Sequence, residues 1–574
     1  MTSVAVLGGG IAGLSAAHEL GERGFDVTVF EASMTFGGKA RSMDVPDSAV
    51  GNRKPLPGEH GFRFFPGFYR HIVDTMSRIP DGQRTAADHL VAAKGLMLAQ
   101  DSGRNEILTL ARRPASLEDL GVAVQFIRQI GENVKVPPHE LAVFLTRMLT
   151  LLTSCDERRL DQCDKVSWWV YMDAERKSPA FQKFLADGMT RALVAAQARE
   201  MSARTGGLIL WQLVFDLIRV EGRLPQLLDG PTSEVWIDPW AAHLRNLGVT
   251  IRSGCKVTEI DCDGRRITGV TVMTTSGPER IVADHYVSAM PKEKLQLLLT
   301  PALTAAEPRL AALEDLHTRW MNGAMFYLDK DVPLPRGHAI FVDSEWALTA
   351  VSQAQFWRDI NLQQRGDGQV EGILSVDISD WETVGRKIEK TARTCSKEEI
   401  RDEVWAQLVA HIDDGSLDVA NVLDFFLDPA IVLPDPAIPA TEAPPTENLE
   451  PLLVNTKGSW ADRPDAVTRI PNFFLASDYV RTFTDLATME GANEAARRAV
   501  NGILDATGSP ERRCDVWKLN EPRVLAPFRS LDKLWWRLGR GPVKPPFRVD
   551  LDGALEPIGL VARGVLALLR RFGR

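Results

Sequence analysis

Four residues near the start of the chain have the types and the spacing that bind a dinucleotide. Gly8, Gly10 and Gly13 form a Gly-x-Gly-x-x-Gly motif, and Glu31 follows 18 residues after the last glycine. Gly8 allows a tight turn, Gly10 lets the backbone approach a pyrophosphate, and Gly13 lets a helix pack close to a strand. A glutamate at the position of Glu31 can accept hydrogen bonds from ribose hydroxyls. The pattern therefore predicts a nucleotide-binding site.

The elements that must position these residues are present around them. Residues 4–7 are apolar and predict a buried strand, apolar residues at helical spacing from 14 to 20 predict a helix, and residues 27–30 predict a second strand. The glycine motif then lies at the turn from the first strand into the helix. The first N–H groups of that helix, including those of Ile11 and Ala12, have no intrahelical partner and attract phosphate.

Composition and charge restrict the class of protein. The chain has 574 residues, of which 44% are hydrophobic and 25% are charged, as in soluble globular proteins of several domains. The formal net charge is −9, so nucleic acid is not an expected partner. The six cysteines form no Cys-x-x-Cys pair and the ten histidines form no recognised ligand motif, so no metal is predicted. There is neither a secretory signal nor an apolar run long enough to cross a bilayer, which predicts a cytoplasmic protein.

The residues after Glu31 resemble a more specific pattern. Gly37-Gly38-Lys39 and the nearby Arg41 are similar to the Glu-x-x-x-x-x-Gly-Gly-Lys/Arg-x-x-Ser continuation of flavoproteins in the amine oxidase and carotenoid desaturase superfamily. Residues 59–65, Glu-His-Gly-Phe-Arg-Phe-Phe, resemble the Glu-x-Gly-x-x-x-Phe stretch of the same superfamily. In that superfamily these loops wrap FAD beyond its adenosine, so the resemblance implies FAD rather than NAD. The contacts it implies here are Ala32, Gly38, Lys39, Arg41, Gly61, Phe62, Arg63 and Phe64.

Residues 470–479 resemble the superfamily strand that ends in Ala-Gly-Asp. The resemblance implies that Asp478 binds the ribityl or pyrophosphate region of FAD. One departure is that Ser477 stands where the superfamily has glycine. In the middle of the chain, Val257 matches a superfamily position that contacts the adenine of FAD through its backbone.

A helix is predicted to begin at Met489, in the sequence Met-Glu-Gly-Ala. Its counterpart in the superfamily directs helix N-terminal amides at the flavin pyrimidine edge, where the positive end of the dipole stabilises the reduced flavin. The resemblance therefore implies flavin contacts from Met489 and Ala492.

The cofactor segments lie far apart in the sequence, so the cofactor domain must be interleaved with another. We predict an α/β fold in which a Rossmann-like FAD-binding domain of the GR2 type alternates with a mixed α+β substrate domain. The predicted parts are FAD-binding segments at 1–71, 229–300 and 452–508, a helical substrate segment at 72–228, a second substrate segment at 301–451, and a basic amphipathic tail at 509–574. In the helical segment, Trp168, Trp169, Trp211 and Phe215 line an apolar tunnel or belong to an ordinary core.

The three FAD-related segments are most similar to those of plant-type phytoene and ζ-carotene desaturases and of hydroxysqualene dehydroxylases. The resemblance implies hydride transfer to FAD from a long apolar, isoprenoid substrate, and no motif marks a catalytic base. A second nucleotide motif for NAD(P)H is not found in the sequence, which favours oxygen, a quinone or another acceptor for reoxidation. Two alternatives remain open: a flavin amine or amino-acid oxidase, and a non-enzymatic prenyl-lipid escort protein of the Rab escort type.

The C-terminal tail differs in charge from the rest of the chain. Residues 511–574 contain 14 Lys/Arg and 7 Asp/Glu. Beyond Pro557, apolar residues at helical spacing face one side and arginines the other, and residues 531–538 combine Leu and Trp with Lys533 and Arg537. Such segments bind the headgroup region of a membrane. We therefore expect peripheral membrane attachment through residues 530–574, with docking of the tail on the protein's own core as the alternative.

Overall fold

In the computed structural model, a parallel sheet is assembled from five segments spread along the chain. In spatial order its strands are Thr250–Arg252, Asp26–Phe30, Ser3–Leu7, His285–Ser288 and Phe473–Leu475. The structure describes residues 1–101, 103–109, 127–128, 131–218, 224–332, 334–357, 359–435, 437–438, 444–545, 547–549 and 555–557. The interleaving predicted from the sequence therefore brings the three cofactor segments into one sheet.

Helices cover this sheet because its strands are apolar on both faces. The helix Ile11–Gly21 follows the first strand, and the helix Met489–Thr507 packs against it. Leu14, Ala17 and Leu20 of the first helix are completely buried, as their helical spacing predicts. A three-stranded antiparallel sheet of Lys256–Cys262, Ile267–Thr274 and Gly277–Ile281 follows the edge strand.

A seven-stranded sheet forms the centre of the second domain. In spatial order its strands are Arg104–Thr109, Gly95–Gln100, Gly337–Phe341, Thr349–Ser352, Gly372–Ile378, Asn322–Leu328 and Val422–Leu427. The helix Lys397–His411 packs on one face through Ile400, Val404 and Leu408. The opposite face is available to line a cavity.

The first two strands of that sheet correct the prediction that residues 72–228 are helical. Gly95–Gln100 and Arg104–Thr109 pair as a hairpin. Gly103, with a φ of +72°, lies in the connection and suits the backbone of a tight turn. Sequence reasoning did not recognise this turn, so it assigned two strands of the substrate sheet to a helical block. A small sheet of Phe64–Phe65, Gln226–Leu228 and Leu90–Ala92 lies nearby.

The helical layer lies between residues 138 and 218. Its main helices are Pro138–Thr153, Trp168–Met172, Met189–Val194 and Ala203–Ile218. Trp168, Trp169, Trp211 and Phe215 pack together with Phe144 in the core of this layer. They line neither of the two cavities described below, so the core alternative holds for them.

One helix of the described tail is docked on the helical layer. The helix Ala526–Arg537 packs against Pro138–Thr153, and its Asp532 is fully buried. The Asp532 carboxylate accepts hydrogen bonds from Arg158 Nε at 3.0 Å and from the amides of Cys155 and Val543, each at 2.9 Å. Docking on the protein's own core, the alternative above, therefore describes this helix.

The remainder of the tail is described only in part. Pro557 ends a short strand, Leu555–Pro557, that pairs with Phe547–Val549, so it does not begin a helix. The amphipathic helix predicted beyond it lies outside the described residues. Among the helices that the structure does describe, none is both long and apolar enough to span a bilayer.

Candidate functional site

A cavity of about 920 Å³ lies at the carboxyl ends of the parallel strands. Gly8, Glu31, Ala289 and Ser477 line it, and each comes directly or shortly after one of these strands. Ligands of open parallel sheets bind at this edge, where loops and helix N-termini converge. The volume lies within the range of about 300–1,000 Å³ that is typical of ligand and cofactor pockets.

Close contacts or a positive φ disfavour a side chain at Gly8, Gly13 and Gly38. A Cβ atom on Gly13 would lie 1.9 Å from the Gly8 carbonyl oxygen, and Gly8 itself has a φ of +112°. A Cβ atom on Gly38, at a φ of +57°, would lie 3.0 Å from Gly10 Cα. The Gly37 amide donates a hydrogen bond of 2.9 Å to the Gly9 carbonyl, so the second loop is held against the first. The two loops together form a backbone cradle that fits a pyrophosphate.

The helix Ile11–Gly21 begins at this cradle. Its N-cap residue, Gly10, has no side chain to cap the first amides. Ile11 and Ala12 line the cavity. The first-turn amides have no intrahelical acceptor and carry the positive end of the helix dipole. They can bind a phosphate oxygen at this position.

Glu31 is held at the cavity wall by two backbone amides. Its Oε2 accepts a hydrogen bond of 2.6 Å from the Gly9 amide, and its Oε1 accepts one of 2.8 Å from the Ser33 amide. Each carboxylate oxygen has a further lone pair. The remaining acceptor sites are therefore oriented for ribose hydroxyls.

Every cofactor residue predicted from the sequence lines this cavity except Gly13. The lining includes Gly8, Gly10, Ile11, Ala12, Glu31, Ala32, Gly38, Lys39, Arg41, Gly61, Phe62, Arg63, Phe64, Val257, Asp478, Met489 and Ala492. Gly13 lies behind the cradle, where it allows close contact between helix and strand. Val257 precedes a bulge at Thr258, a residue without a partner in the register of the adjacent strand.

Lys39 and Arg41 also have acidic partners within the chain. Lys39 Nζ lies 3.3 Å from Glu293 Oε1 and donates a hydrogen bond to the Pro451 carbonyl. Arg41 Nη1 lies 2.9 Å from Glu450 Oε1. The bonds to Pro451 and Glu450 join the cofactor loop to residues 449–455, most of which line the cavity, an arrangement that no local sequence pattern indicated.

The helix Met489–Thr507 begins at the cavity with a side-chain cap. Thr488 Oγ1 accepts a hydrogen bond of 3.1 Å from the Gly491 amide, while Met489 lines the cavity. Ser477, at the position of the superfamily glycine, lies with its hydroxyl 3.2 Å from Asp478 Oδ1. The glycine cradle, the first-turn amides of the helix Ile11–Gly21 and Glu31, which follows the strand Asp26–Phe30, together fit FAD along one wall of the cavity.

The far end of the cavity contains polar groups that sequence reasoning missed. Asp377, Thr349 and His338 are exposed by 6%, 1% and 6%, and all three line the cavity. Asp377 Oδ1, Thr349 Oγ1 and His338 Nε2 have no hydrogen-bond partner within the protein. One available signal was a charged residue, Asp377, in the largely apolar strand Gly372–Ile378. The cross-strand pairing that places these groups together is not visible in the sequence.

Burial is the largest influence on the pKa of Asp377, Glu59 and His338. It raises the pKa of Asp377 to about 7, although the nearby Arg63 guanidinium and the Phe62 amide oppose the shift. Burial likewise raises the pKa of Glu59 to about 7, against Arg63 and two hydrogen bonds from Thr232. Burial lowers the pKa of His338 to about 4, so its imidazole is neutral near pH 7.

His60 lines the same cavity and is paired with an acid. Its Nδ1 lies 2.6 Å from Asp428 Oδ2 and 3.5 Å from Glu450 Oε2. Burial alone would raise the pKa of Asp428, but the hydrogen bond and charge of His60 and the bond from Asn322 lower it overall. His60 therefore lies against the cavity with its Nδ1 in close contact with the Asp428 carboxylate.

A second cavity, of about 130 Å³, adjoins the first. Phe64, Leu213 and His338 line both cavities. Aliphatic and aromatic side chains make up most of its wall, among them Leu96, Leu98, Phe144, Leu210, Val214 and Ile340. The polar end of the large cavity therefore leads into an apolar space between the seven-stranded sheet and the helical layer.

One group of potential metal ligands lies away from both cavities. Ligand atoms of His18, Glu22 and His243 lie within 4.8 Å of one another. The Trp240 indole donates to His18 Nδ1 at 3.1 Å, and His18 Nε2 lies 3.0 Å from Glu22 Oε1. A donor at Nδ1 places the His18 proton on Nε2, where it bonds Glu22 and blocks the lone pair that a metal would need.

Comparison with known proteins identifies the family. The model of the family described as flavin containing amine oxidoreductase matches residues 11–504, and the chain belongs to this family. The protein is thus an FAD-dependent oxidoreductase, and the expected α/β FAD-binding fold is confirmed.

Three curated relatives are carotenoid enzymes. A carotenoid phi-ring synthase of Chlorobaculum tepidum is 46% identical over 50% of this chain and 42% of its own length, so the match spans less than half of that relative. A ζ-carotene desaturase of Arabidopsis thaliana is 21% identical over 88% of this chain and 85% of its own. A 15-cis-phytoene desaturase of Synechococcus elongatus is 22% identical over 89% of this chain and 97% of its own.

Solved structures share the fold. A cyclohexylamine oxidase of Brevibacterium oxydans aligns with a TM-score of 0.54 at 14% identity, over 88% of this chain and 99% of that one. At this identity the likeness concerns the fold alone.

Proposed function

We propose that this flavin-containing amine oxidoreductase removes hydride from a long, apolar isoprenoid substrate of the carotenoid type, in a desaturation or a related redox step. The observation that carries the proposal is the apolar second cavity, which continues from the cofactor cavity through Phe64, Leu213 and His338. A polyene gains most of its binding free energy from burial of apolar surface. The carotenoid enzymes among the relatives support the same substrate class.

The residues of this chain would contribute binding and orientation. FAD, when bound, supplies the hydride acceptor. The glycine cradle and Glu31 would hold its adenosine and pyrophosphate, and the N-terminus of the helix Met489–Thr507 would stabilise negative charge on the reduced ring. Walls of Leu, Val and Phe would align the substrate carbon and exclude water.

The test is anaerobic reduction of the purified, flavin-loaded enzyme. We expect ζ-carotene or phytoene in detergent micelles to bleach the flavin absorbance, and putrescine and cyclohexylamine to leave it unchanged. A Leu96→Trp variant should weaken reduction by these long substrates, because Leu96 lines the second cavity. Val170→Trp, at a side chain that is 63% exposed, is the control. Reduction by amines with none by polyenes would refute the proposal.

An amine or amino-acid oxidase is the second candidate. The unpartnered Asp377 oxygen favours it, because a buried carboxylate can bind a substrate ammonium group. The Arg63 guanidinium near the same carboxyl opposes a cationic ligand there. The apolar second cavity also has no evident use for a small amine, so we rank this candidate below the first.

Reoxidation by oxygen or a quinone completes the proposed cycle. The proposal is supported by the sequence, in which a second nucleotide motif for NAD(P)H is not found. Mixing reduced enzyme with oxygen or with a soluble quinone, in separate runs, would identify the acceptor by its rate of flavin reoxidation. Flavin reoxidation by NAD⁺ alone would contradict the proposal that oxygen or a quinone is the acceptor.

We also propose that the tail helix attaches the protein peripherally to a membrane; the cytoplasmic location stays a prediction. The helix Ala526–Arg537 docks through Asp532, and its outer side leaves Leu531, Leu534 and Leu538 exposed by 41%, 52% and 61%. Basic side chains, including Lys533, lie among these leucines. An apolar stripe with cations suits the surface of anionic lipid.

Flotation with liposomes tests this attachment. Wild-type protein should float with vesicles that contain phosphatidylserine and be partly released by salt. The triple change of Leu531, Leu534 and Leu538 to serine should abolish flotation, whereas Val170→Ser should not. Equal flotation of all three proteins, or of none, would remove the helix as the anchor.

A further inference from the structure

The seven-stranded sheet presents one face to both cavities. Thr349 pairs directly with Asp377 on the neighbouring strand, and Ile340 pairs with Thr349. Directly paired residues point to the same side of a sheet, as do residues two positions apart, so His338 shares this face. The same face bears Leu96, which pairs with His338. The wall is thus apolar at one end and polar at the other.

The polar end contains groups that the protein itself does not satisfy. Asp377 Oδ1 and Thr349 Oγ1 are more than nine-tenths buried, line the large cavity and have no hydrogen-bond partner. Buried polar atoms are almost always paired in folded proteins. Two adjacent exceptions at a cavity wall therefore indicate groups that meet a ligand or take part in its chemistry.

Asp377 also lies beside the loop expected to contact the flavin. A Cβ atom on Gly61 would lie 2.7 Å from Asp377 Oδ1, so only a glycine lets the carboxylate reach this point. Gly61 and Asp377 both line the cavity. The carboxylate thus lies where the cofactor segment, the polar wall and the entrance to the apolar cavity meet.

The charges that face Asp377 come from several elements. Arg63 and the Phe62 amide favour the carboxylate form, while the acids Asp428 and Glu59 disfavour it. With burial added, the pKa of Asp377 is about 7, which suits a group that takes up and releases a proton near neutral pH. The neutral His338 adds no charge to this balance near pH 7.

From this geometry we propose that Asp377 is the proton acceptor of the desaturation step. The inference rests on the proposed function. One substrate carbon loses hydride, with its electron pair, to FAD, and the neighbouring carbon loses a proton to Asp377 Oδ1. The electron pair of that second C–H bond becomes the new C=C bond. The substrate loses two electrons, FAD gains them, and the carboxylate becomes a carboxylic acid.

A carboxylate is a sufficient base for this step. Loss of hydride beside a double bond leaves an allylic cation, and the neighbouring C–H of such a cation is strongly acidic. The negative charge of Asp377 would also stabilise the cation as it forms. A base placed in this way contributes about 10²–10⁴-fold to rate.

The test uses the flavin-loaded enzyme, anaerobic stopped-flow and ζ-carotene as the probe. In the wild type, the rate of flavin reduction should rise with pH through about 7, because only the carboxylate accepts a proton. Asp377→Asn should reduce flavin about 10²–10⁴-fold more slowly. Asp377→Glu should keep a pH-dependent rate. Ser375→Ala is the matched control, since Ser375 is two residues away on the same sheet face and its hydroxyl is also unpartnered.

A readout without substrate accompanies the kinetics. Infrared difference spectra of the resting holoenzyme should show a carboxylic acid band that disappears as the pH rises through about 7 and that is absent from Asp377→Asn. The band of Glu59 should remain in that variant. If Asp377→Asn fails to bind flavin, the wild-type pH profile and the Asp377→Glu spectrum decide.

The outcomes separate this inference from the proposed function. A wild-type flavin that ζ-carotene and phytoene do not reduce refutes the proposed function. A wild-type flavin that they reduce, with an Asp377→Asn rate within threefold of wild type, refutes the inference alone. A wild-type rate that does not change through about pH 7, or the absence of the titrating band, also overturns it.

Discussion

Replacing Glu490 by glutamine should loosen the contact between the cofactor helix and its neighbour. Glu490 is 2% exposed and follows Met489 at the start of the helix Met489–Thr507. Its Oε1 accepts hydrogen bonds from the amides of Arg70 and His71, at 2.8 and 2.9 Å, and lies 2.6 Å from His71 Nδ1. Its Oε2 accepts one of 2.9 Å from the Ile72 amide.

The expected cost follows from this arrangement. Glutamine keeps one acceptor oxygen and places an NH₂ group at the other position, where it faces the N–H of Ile72 and cannot accept its bond. That amide stays buried without a partner, which costs about 1–3 kcal/mol. The three remaining bonds lose charge assistance, because bonds to charged groups contribute about 1.5–3 kcal/mol and neutral ones about 1 kcal/mol. We expect a net loss of about 3–5 kcal/mol, the range for breaking a buried pair.

The loss of folding free energy in Glu490→Gln should depend on pH in a defined direction. Burial raises the pKa of Glu490, but the hydrogen bond and charge of His71 and the backbone bonds outweigh it, so the folded pKa is lowered. A depressed carboxylate pKa stabilises the fold above its unfolded value of about 4.3. That stabilisation is lost as the pH falls through the folded pKa. The difference between wild type and Glu490→Gln should therefore be constant near pH 7 and shrink below about pH 4.

Urea unfolding of the holoenzyme, followed by flavin fluorescence and by circular dichroism, measures the effect. Hydrogen exchange in the helix His71–Met76 reports it locally, because Glu490 binds the amides at the start of that helix. Glu511→Gln, at an exposed position of the tail, is the control and should behave as wild type. A cost below about 1 kcal/mol, or a cost that grows below about pH 4, would refute the reasoning.

Three further outcomes are expected. Glu31→Ala should weaken FAD retention by about 1.5–3 kcal/mol, measured by flavin release on dilution, and unchanged retention would contradict its assignment. Gly13→Ala should abolish flavin binding or folding, seen in the absorbance spectrum, because the new Cβ would lie 1.9 Å from the Gly8 oxygen. Asp532→Asn should leave Arg158 buried with a weakened partner and free the tail helix. Limited proteolysis should then cut near residue 540 sooner than in wild type, without loss of flavin. An unchanged digestion rate would count against the docked tail.

The sequence was sufficient to predict the nucleotide-binding part of the site. Gly8, Gly10, Gly13 and Glu31 lie within one strand–helix–strand unit, and each of their roles follows from local backbone geometry. The resemblance at Gly38 and beyond added FAD, and the family match confirmed the cofactor. Short-range patterns are readable because their partners lie a few residues away.

The substrate end could be predicted less well, and the strand pairing explains why. Asp377 and Thr349 meet because strands of the seven-stranded sheet pair in one register, and a shift by one residue would turn either side chain to the opposite face. The hairpin that begins this sheet was assigned to a helical block because its turn was not recognised. The domain boundaries and the individual cofactor contacts stay predictions of the sequence.

The C-terminal tail shows the same difference between what the sequence predicts and what tertiary contacts decide. Its composition indicated cations among apolar side chains, but composition does not determine which side of a helix is buried. The ion pair between Asp532 and Arg158 joins residues 374 positions apart and turns one side of the helix inward. Sequence by itself determined the nucleotide cradle, because the cradle depends on local geometry, and the resemblance of the loops beyond it implied the cofactor. Tertiary structure alone decided which acid lines the polar end of the cavity and which side of the tail helix faces solvent, because the first depends on strand register and the second on a contact between residues 374 positions apart.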